Sequence, residues 1–219
     1  MSDESADPMI DNDALAEFED RQTLRYVRFY PVDAFRVWKA VTTSECLDVW
    51  LYPVSRVEPR LGGRCSFSWG SPEHPNATGT VTRFEPPRQV RYELESSNFI
   101  QFDLEPVEGG TRFTFTQFFA PGFRHADDGM LQGKAGIQPA GPGTPWRAGF
   151  LAGFHLNFAF LGRFLAEDWS EDRIAHESRR LVEEANARHL EGRPPLPSAE
   201  WQRLVELYYD HVLATCPKQ

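Results

Sequence analysis

The segment PWRAGFLAGFHLNFAFLGRFLAE, residues 145–167, restricts the possible folds more than any other stretch of this chain. Thr144 is placed to cap a helix whose first turn holds Pro145, a position where the missing N–H costs nothing. At about 100° per residue, Trp146, Phe150, Phe154, Phe158, Leu161, Phe164 and Leu165 form one apolar stripe, and Asn157 projects into it. The opposite side carries Leu156 and Phe160 beside Gly149 and Gly153. A helix that is apolar nearly all round must be covered on both sides. Its near-uncharged run, Ala148 to Gly162, falls short of the roughly 20 residues that cross a bilayer, so the spacing predicts a core helix and no membrane insertion.

The preceding sequence supplies one cover. Val54–Val57, Arg64–Trp69, Gly79–Phe84, Gln89–Leu94, Phe99–Leu104 and Thr111–Phe119 each read with a period of two. Gly, Pro or Asn clusters separate them at short intervals, which predicts an antiparallel meander. Cys65, Phe67 and Trp69 fall on one face, with Arg64, Ser66 and Ser68 on the other. In the last strand Phe113, Phe115 and Gln117 share a face opposite Thr114 and Thr116. Gly62-Gly63 precede a segment of period two rather than a helix. This argues against a phosphate cradle and for a positive-φ turn or bulge between strands.

Ahead of the meander, Thr23–Tyr30 alternates as a strand. Asp33 is a plausible N-cap for AFRVWKAVT, and Thr43 or Ser44 restarts a short helix carrying Leu47, Trp50 and Leu51. After the long helix, Asp172–Leu190 and a stripe of Trp201, Leu204, Val205, Tyr208 and Val212 predict two further helices. These cover the outer side of the long helix within one chain, or pair with a second subunit as a homodimer. Residues 120–145 hold six Gly and four Pro in 26 positions. So long a connection without structure of its own is functional or disordered, and a lid over a ligand is the functional reading.

The expected organisation is therefore α+β. Residues 1–20 form an acidic, mobile arm, residues 21–169 a sheet-and-helix domain, and residues 170–219 a helical extension. Eight acids precede the first base, Arg21, and the remainder is close to neutral, so no basic face for nucleic acid is expected. Cys46, Cys65 and Cys216 are widely spaced, which suggests neither a disulfide framework nor a zinc site. With no signal-peptide pattern at the N-terminus, the expected location is the cytoplasm.

Three stretches carry a resemblance. SECLDVWLYPVSRVEPRLGGRCSFSWG, GTVTRFEPPRQVRYEL and GGTRFTFTQFF together resemble the helix-grip superfamily called SRPBCC or START-like, of polyketide-cyclase and birch-pollen-allergen fold. The resemblance is closest to the branch named after the activator of the ninety-kilodalton heat-shock protein's ATPase. Trp50, Arg60-Leu61-Gly62-Gly63, Gly79 through Pro86-Pro87, and Thr111 through Gln117 carry it. Leu61 departs from the branch's usual Pro, and Gln117 stands where many relatives have His. The resemblance implies a curved antiparallel sheet of six to seven strands around the long helix, with apolar or amphipathic small molecules held between them.

The residues give that implication a physical basis. Trp50, Phe67, Trp69, Phe113, Phe115, Trp146, Phe150 and Phe154 are bulky rings on the faces that meet. Gln117 and Asn157 are polar groups, one from each wall, as in a pocket that is mostly apolar with a few placed polar groups. These ten are the candidate ligand-binding residues. Each ring is equally a candidate for plain core filling, and each amide for a partner in the backbone. No catalytic constellation, metal site or cofactor is read from the six His or three Cys. Three functions stay open: a binder of a hydrophobic small molecule, a metal-independent cyclase or hydrolase, and a co-chaperone-like interaction module with a chaperone partner.

Overall fold

The structure is a computed structural model that describes residues 10–20, 22–68, 70, 77–120, 146–190 and 199–215. Trp69, Thr144, Pro145, nearly all of the Gly/Pro-rich segment and the break before the last helix lie outside the described residues. The chain runs β1 (Glu17–Phe18), β2 (Thr23–Tyr30), α1 (Ala34–Thr42), α2 (Ser44–Trp50), β3 (Val54–Val57), β4 (Arg64–Ser68), β5 (Ala77–Glu85), β6 (Gln89–Leu94), β7 (Phe99–Val107), β8 (Gly110–Phe118), α3 (Trp146–Ala166), α4 (Glu171–Leu190) and α5 (Ala199–Thr215).

All eight strands form one antiparallel sheet in the order β1-β2-β8-β7-β6-β5-β4-β3. The run from β3 to β8 is the expected meander. It places β8 beside β2, while α1 and α2 carry the chain from β2 to the far edge strand β3. Asp33 caps α1, its carboxylate accepting from the Arg36 N–H at 3.1 Å. Alternation holds through β8, where Thr111, Phe113, Phe115 and Gln117 are buried and their neighbours are half-exposed. This inner face meets α3.

Three sequence expectations need correction. β7 runs past Leu104 to Val107 despite Pro106, because β6 ends opposite Asp103. The missing N–H of Pro106 therefore faces no strand, and its other side still pairs with Thr111. Secondly, the acidic arm is docked at its far end: β1 pairs with β2, and Ala16 is fully buried. Arg28 donates to the Ala14 carbonyl at 2.9 Å, and the Asn12 side chain exchanges hydrogen bonds with the backbone N–H and C=O of Phe29. Net charge says nothing of such main-chain contacts. Thirdly, α3 is apolar over 19 residues, Ala148–Ala166, long enough by length and composition to cross a membrane. Here the sheet takes one side of it and α5 the other.

The two C-terminal helices divide the work. α5 packs along α3, whereas α4 packs on α2 and β3. Trp201 anchors α5 by donating its Nε1–H to the Gly149 carbonyl of α3 at 3.2 Å. The glycine pair at the head of β4 acts as the sequence predicts. Gly62 has φ +75°, and a Cβ on Gly63 would lie 2.1 Å from the Glu58 carbonyl oxygen. The turn then hydrogen-bonds β5 on both sides of Val81, through Gly62 N–H and Gly63 C=O at 2.8 Å each.

Candidate functional site

The space between the sheet's inner face and α3 is built by rings. Phe115 meets Phe154 at 4.6 Å between centroids and Phe158 at 5.1 Å. Phe113 meets Phe158 at 5.3 Å and Phe102 at 5.7 Å. Trp50 reaches across from α2 to Phe102 and Phe158. Tilted and edge-on ring pairs of this kind are each worth about 0.5–1.5 kcal/mol beyond the area they bury. Phe113 and Phe115 are fully buried, so the middle of the grip is core.

The ring packing continues towards the start of α3. Phe150 is half-buried and touches Phe119 at 5.6 Å and Phe154 at 4.7 Å. Phe67 lies further along the sheet, between Tyr52 and Tyr92. Among the ten candidates, Trp50, Phe113, Phe115, Phe150 and Phe154 belong to one connected ring network, which Phe67 joins through Tyr92 and Phe102. Trp69 and the Trp146 side chain lie outside the described structure.

The two amides point into this interior and are held by backbone. Gln117, buried on β8, donates its Nε2–H to the Phe99 and Phe118 carbonyls at 3.2 and 3.3 Å. Asn157, half-buried on α3, donates to the Leu51 carbonyl at the end of α2 at 3.2 Å. They do not bond each other.

Sequence reasoning missed the groups that hold α3 in place. Tyr26 and Tyr30 of β2 donate to the Leu151 and Phe158 carbonyls of α3 at 2.8 and 3.1 Å. Four strand residues span about 13 Å and seven helical residues about 10 Å, so the two hydroxyls meet carbonyls two turns apart. Burial pushes both phenols well above their ordinary range, so they stay protonated donors. Tyr92 does the same to α1, donating to the Val41 carbonyl at 2.7 Å. The signal was visible: Leu24, Tyr26, Arg28 and Tyr30 share the inward face of an alternating strand.

Two polar clusters flank the grip. On the α5 side His155 Nδ1 lies 3.0 Å from the Tyr208 hydroxyl, which also accepts from the Ala16 N–H at 3.3 Å. Burial, and then the nearby Arg28 guanidinium, hold His155 below its ordinary 6.5. On the α4 side, the buried Asp48 carboxylate accepts from the Ser55 N–H at 2.5 Å and the Ser178 hydroxyl at 2.7 Å, with Arg56 at 3.6 Å. Burial outweighs these partners and pushes Asp48 up to about 6. Burial also pushes the Cys46 thiol up to about 11 and Cys65 to about 12, so neither is a nucleophile at neutral pH. Among the described residues, no group of three or more His, Cys, Asp or Glu is gathered to hold a metal ion.

Against known proteins, the family described as Activator of Hsp90 ATPase homolog 1-like protein matches residues 31–137. No curated protein matches the sequence. Among solved structures, a Rhodobacter sphaeroides protein is 21% identical with a TM-score of 0.53, over 70% of this chain and 98% of that one. A Nitrosomonas europaea protein is 19% identical with a TM-score of 0.51, over 69% and 98%. A conserved Enterococcus faecalis protein of unknown function is 16% identical with a TM-score of 0.51, over 77% and 88%. At these identities the likeness is one of fold.

Proposed function

Because its family match and its fold assign this chain to the SRPBCC superfamily, in the branch like the activator of the Hsp90 ATPase, we propose that it binds an apolar or amphipathic small molecule between the sheet and α3. The superfamily fold is one that holds hydrophobic ligands. The observation that carries the reading to this chain is the pair of inward amides, Gln117 and Asn157, set in an otherwise aromatic interior. Each is paired with main-chain carbonyls through its nitrogen, and among the described residues no group donates to its oxygen. Placed polar groups in an apolar wall are what a ligand site requires.

Native mass spectrometry of protein purified from its own source tests the proposal. The expected result is a retained small molecule, released on denaturation, whose removal lowers the melting temperature. A protein that flies at its bare mass, and whose melting temperature is unmoved by any of a panel of apolar compounds, refutes it.

A further inference from the structure

We propose that this interior selects neutral ligands that donate hydrogen bonds, apolar molecules bearing a hydroxyl or N–H, and turns away carboxylates. The inference rests on the binding reading above and follows from where the interior donors go. Trp50 Nε1 donates to the Ala40 carbonyl at 2.9 Å, and Tyr26, Tyr30 and Tyr92 each donate to a main-chain carbonyl. Both amides spend their nitrogens in the same way, Gln117 on Phe99 and Phe118 and Asn157 on Leu51.

These partners fix which way each amide faces. A carbonyl oxygen can only accept, so the –NH₂ end must point to it and the amide oxygen must point elsewhere. Among the described residues, no group donates to Gln117 Oε1 or to Asn157 Oδ1. What the walls still offer from these two side chains is acceptors. A ligand hydroxyl or N–H completes them, whereas a carboxylate meets them oxygen to oxygen and gives up its hydration without return.

No described cation offsets this at the Gln117 end. Arg28 is the guanidinium on the inward face of β2, but Gln117 lies opposite Leu24, four residues and about 13 Å along the strand. Its two terminal nitrogens are engaged by the Val27 and Ala14 carbonyls at 2.8 and 2.9 Å. On the Asn157 side, the helix whose end Asn157 holds carries a buried carboxylate, Asp48, rather than a cation.

Three probes of one shape test the inference at pH 7: 2-naphthol, 2-methylnaphthalene and 2-naphthoate, each measured by equilibrium dialysis against the full chain. The expected order is naphthol tightest, by about three- to tenfold over 2-methylnaphthalene for one neutral hydrogen bond, with naphthoate weakest. Gln117→Met and Asn157→Leu, checked for folding by thermal melting, are expected to shrink the naphthol advantage and to leave 2-methylnaphthalene binding in place. If 2-methylnaphthalene binds and naphthol gains nothing, or naphthoate binds at least as tightly as naphthol, this inference falls and the binding reading stands. If none of the three binds, both fall.

Discussion

Replacing Asp48 by Asn tests whether burial or pairing governs the contact between α2 and α4. The carboxyl accepts from Ser55 and Ser178 and lies 3.6 Å from Arg56, an arrangement that by itself favours the charged form. Yet its side chain is only 2% exposed, and burial carries it from its ordinary 3.8 to about 6. The folded state therefore holds a proton that the unfolded chain has lost over this window. The stability Asp48 contributes is full below about pH 4 and is lost as the pH rises through 6. A gap of about 2 pH units corresponds to about 3 kcal/mol at about 1.4 kcal/mol per unit. Asn keeps the acceptor for Ser55 N–H and turns an N–H toward the Ser178 oxygen, without a charge to bury. Urea denaturation of both proteins from pH 4 to 7.5 measures the difference directly. The expected outcome is that Asp48→Asn gains on the parent by about 2–3 kcal/mol across that range, and that most of the gain falls between pH 4 and 6. A stability difference that stays flat with pH, or a loss that grows above pH 6, refutes the argument and makes the paired charge the stabilising species.

Other consequences follow from the same contacts. Tyr30→Phe removes one hydroxyl-to-carbonyl bond between β2 and α3 and is expected to cost about 0.5–1.5 kcal/mol in chemical denaturation. The ring still packs on Phe113 and beside Gly162, so the fold is retained. His155 is held below its ordinary pKa of 6.5, so the unfolded state takes up the proton first and stability falls as the pH drops below 6.5. His155→Gln is expected to flatten that part of the pH–stability curve, by comparison of melting temperatures at pH 5.5 and 7.5. Asn12→Ala leaves the edge of β2 without its side-chain partner, and amide exchange at Phe29 is expected to speed up selectively.

Much of the fold was legible because it depends on period. Alternation in Gly110–Phe118 dictates which side chains face α3, and in Arg64–Phe67 it buries Cys65 and Phe67, although Ser68, expected on the other face, is buried as well. The all-round apolar pattern of α3 demanded cover on two sides, and sheet and α5 provide it. The ring candidates Phe113, Phe115 and Phe154 followed from the same periodicity. What period cannot say is whether a ring on an inward face fills core or lines a site, and the contacts among Phe102, Phe113, Phe115 and Phe158 put the middle of the grip in the core.

The sequence alone determined the class of architecture, the inward faces and the positive-φ turn at Gly62, because these are local consequences of spacing and of backbone sterics. Tertiary structure decided how the polar groups are matched. It set Tyr26 and Tyr30 on carbonyls of a helix more than a hundred residues away, laid the end of the acidic arm along β2, sent α4 to Asp48 rather than to α3, and turned the amide oxygens of Gln117 and Asn157 away from their carbonyl partners. The reason is physical. Burying apolar surface is non-directional and can be read from a pattern, whereas a hydrogen bond depends on which donor and acceptor come within about 3 Å once the chain has closed on itself.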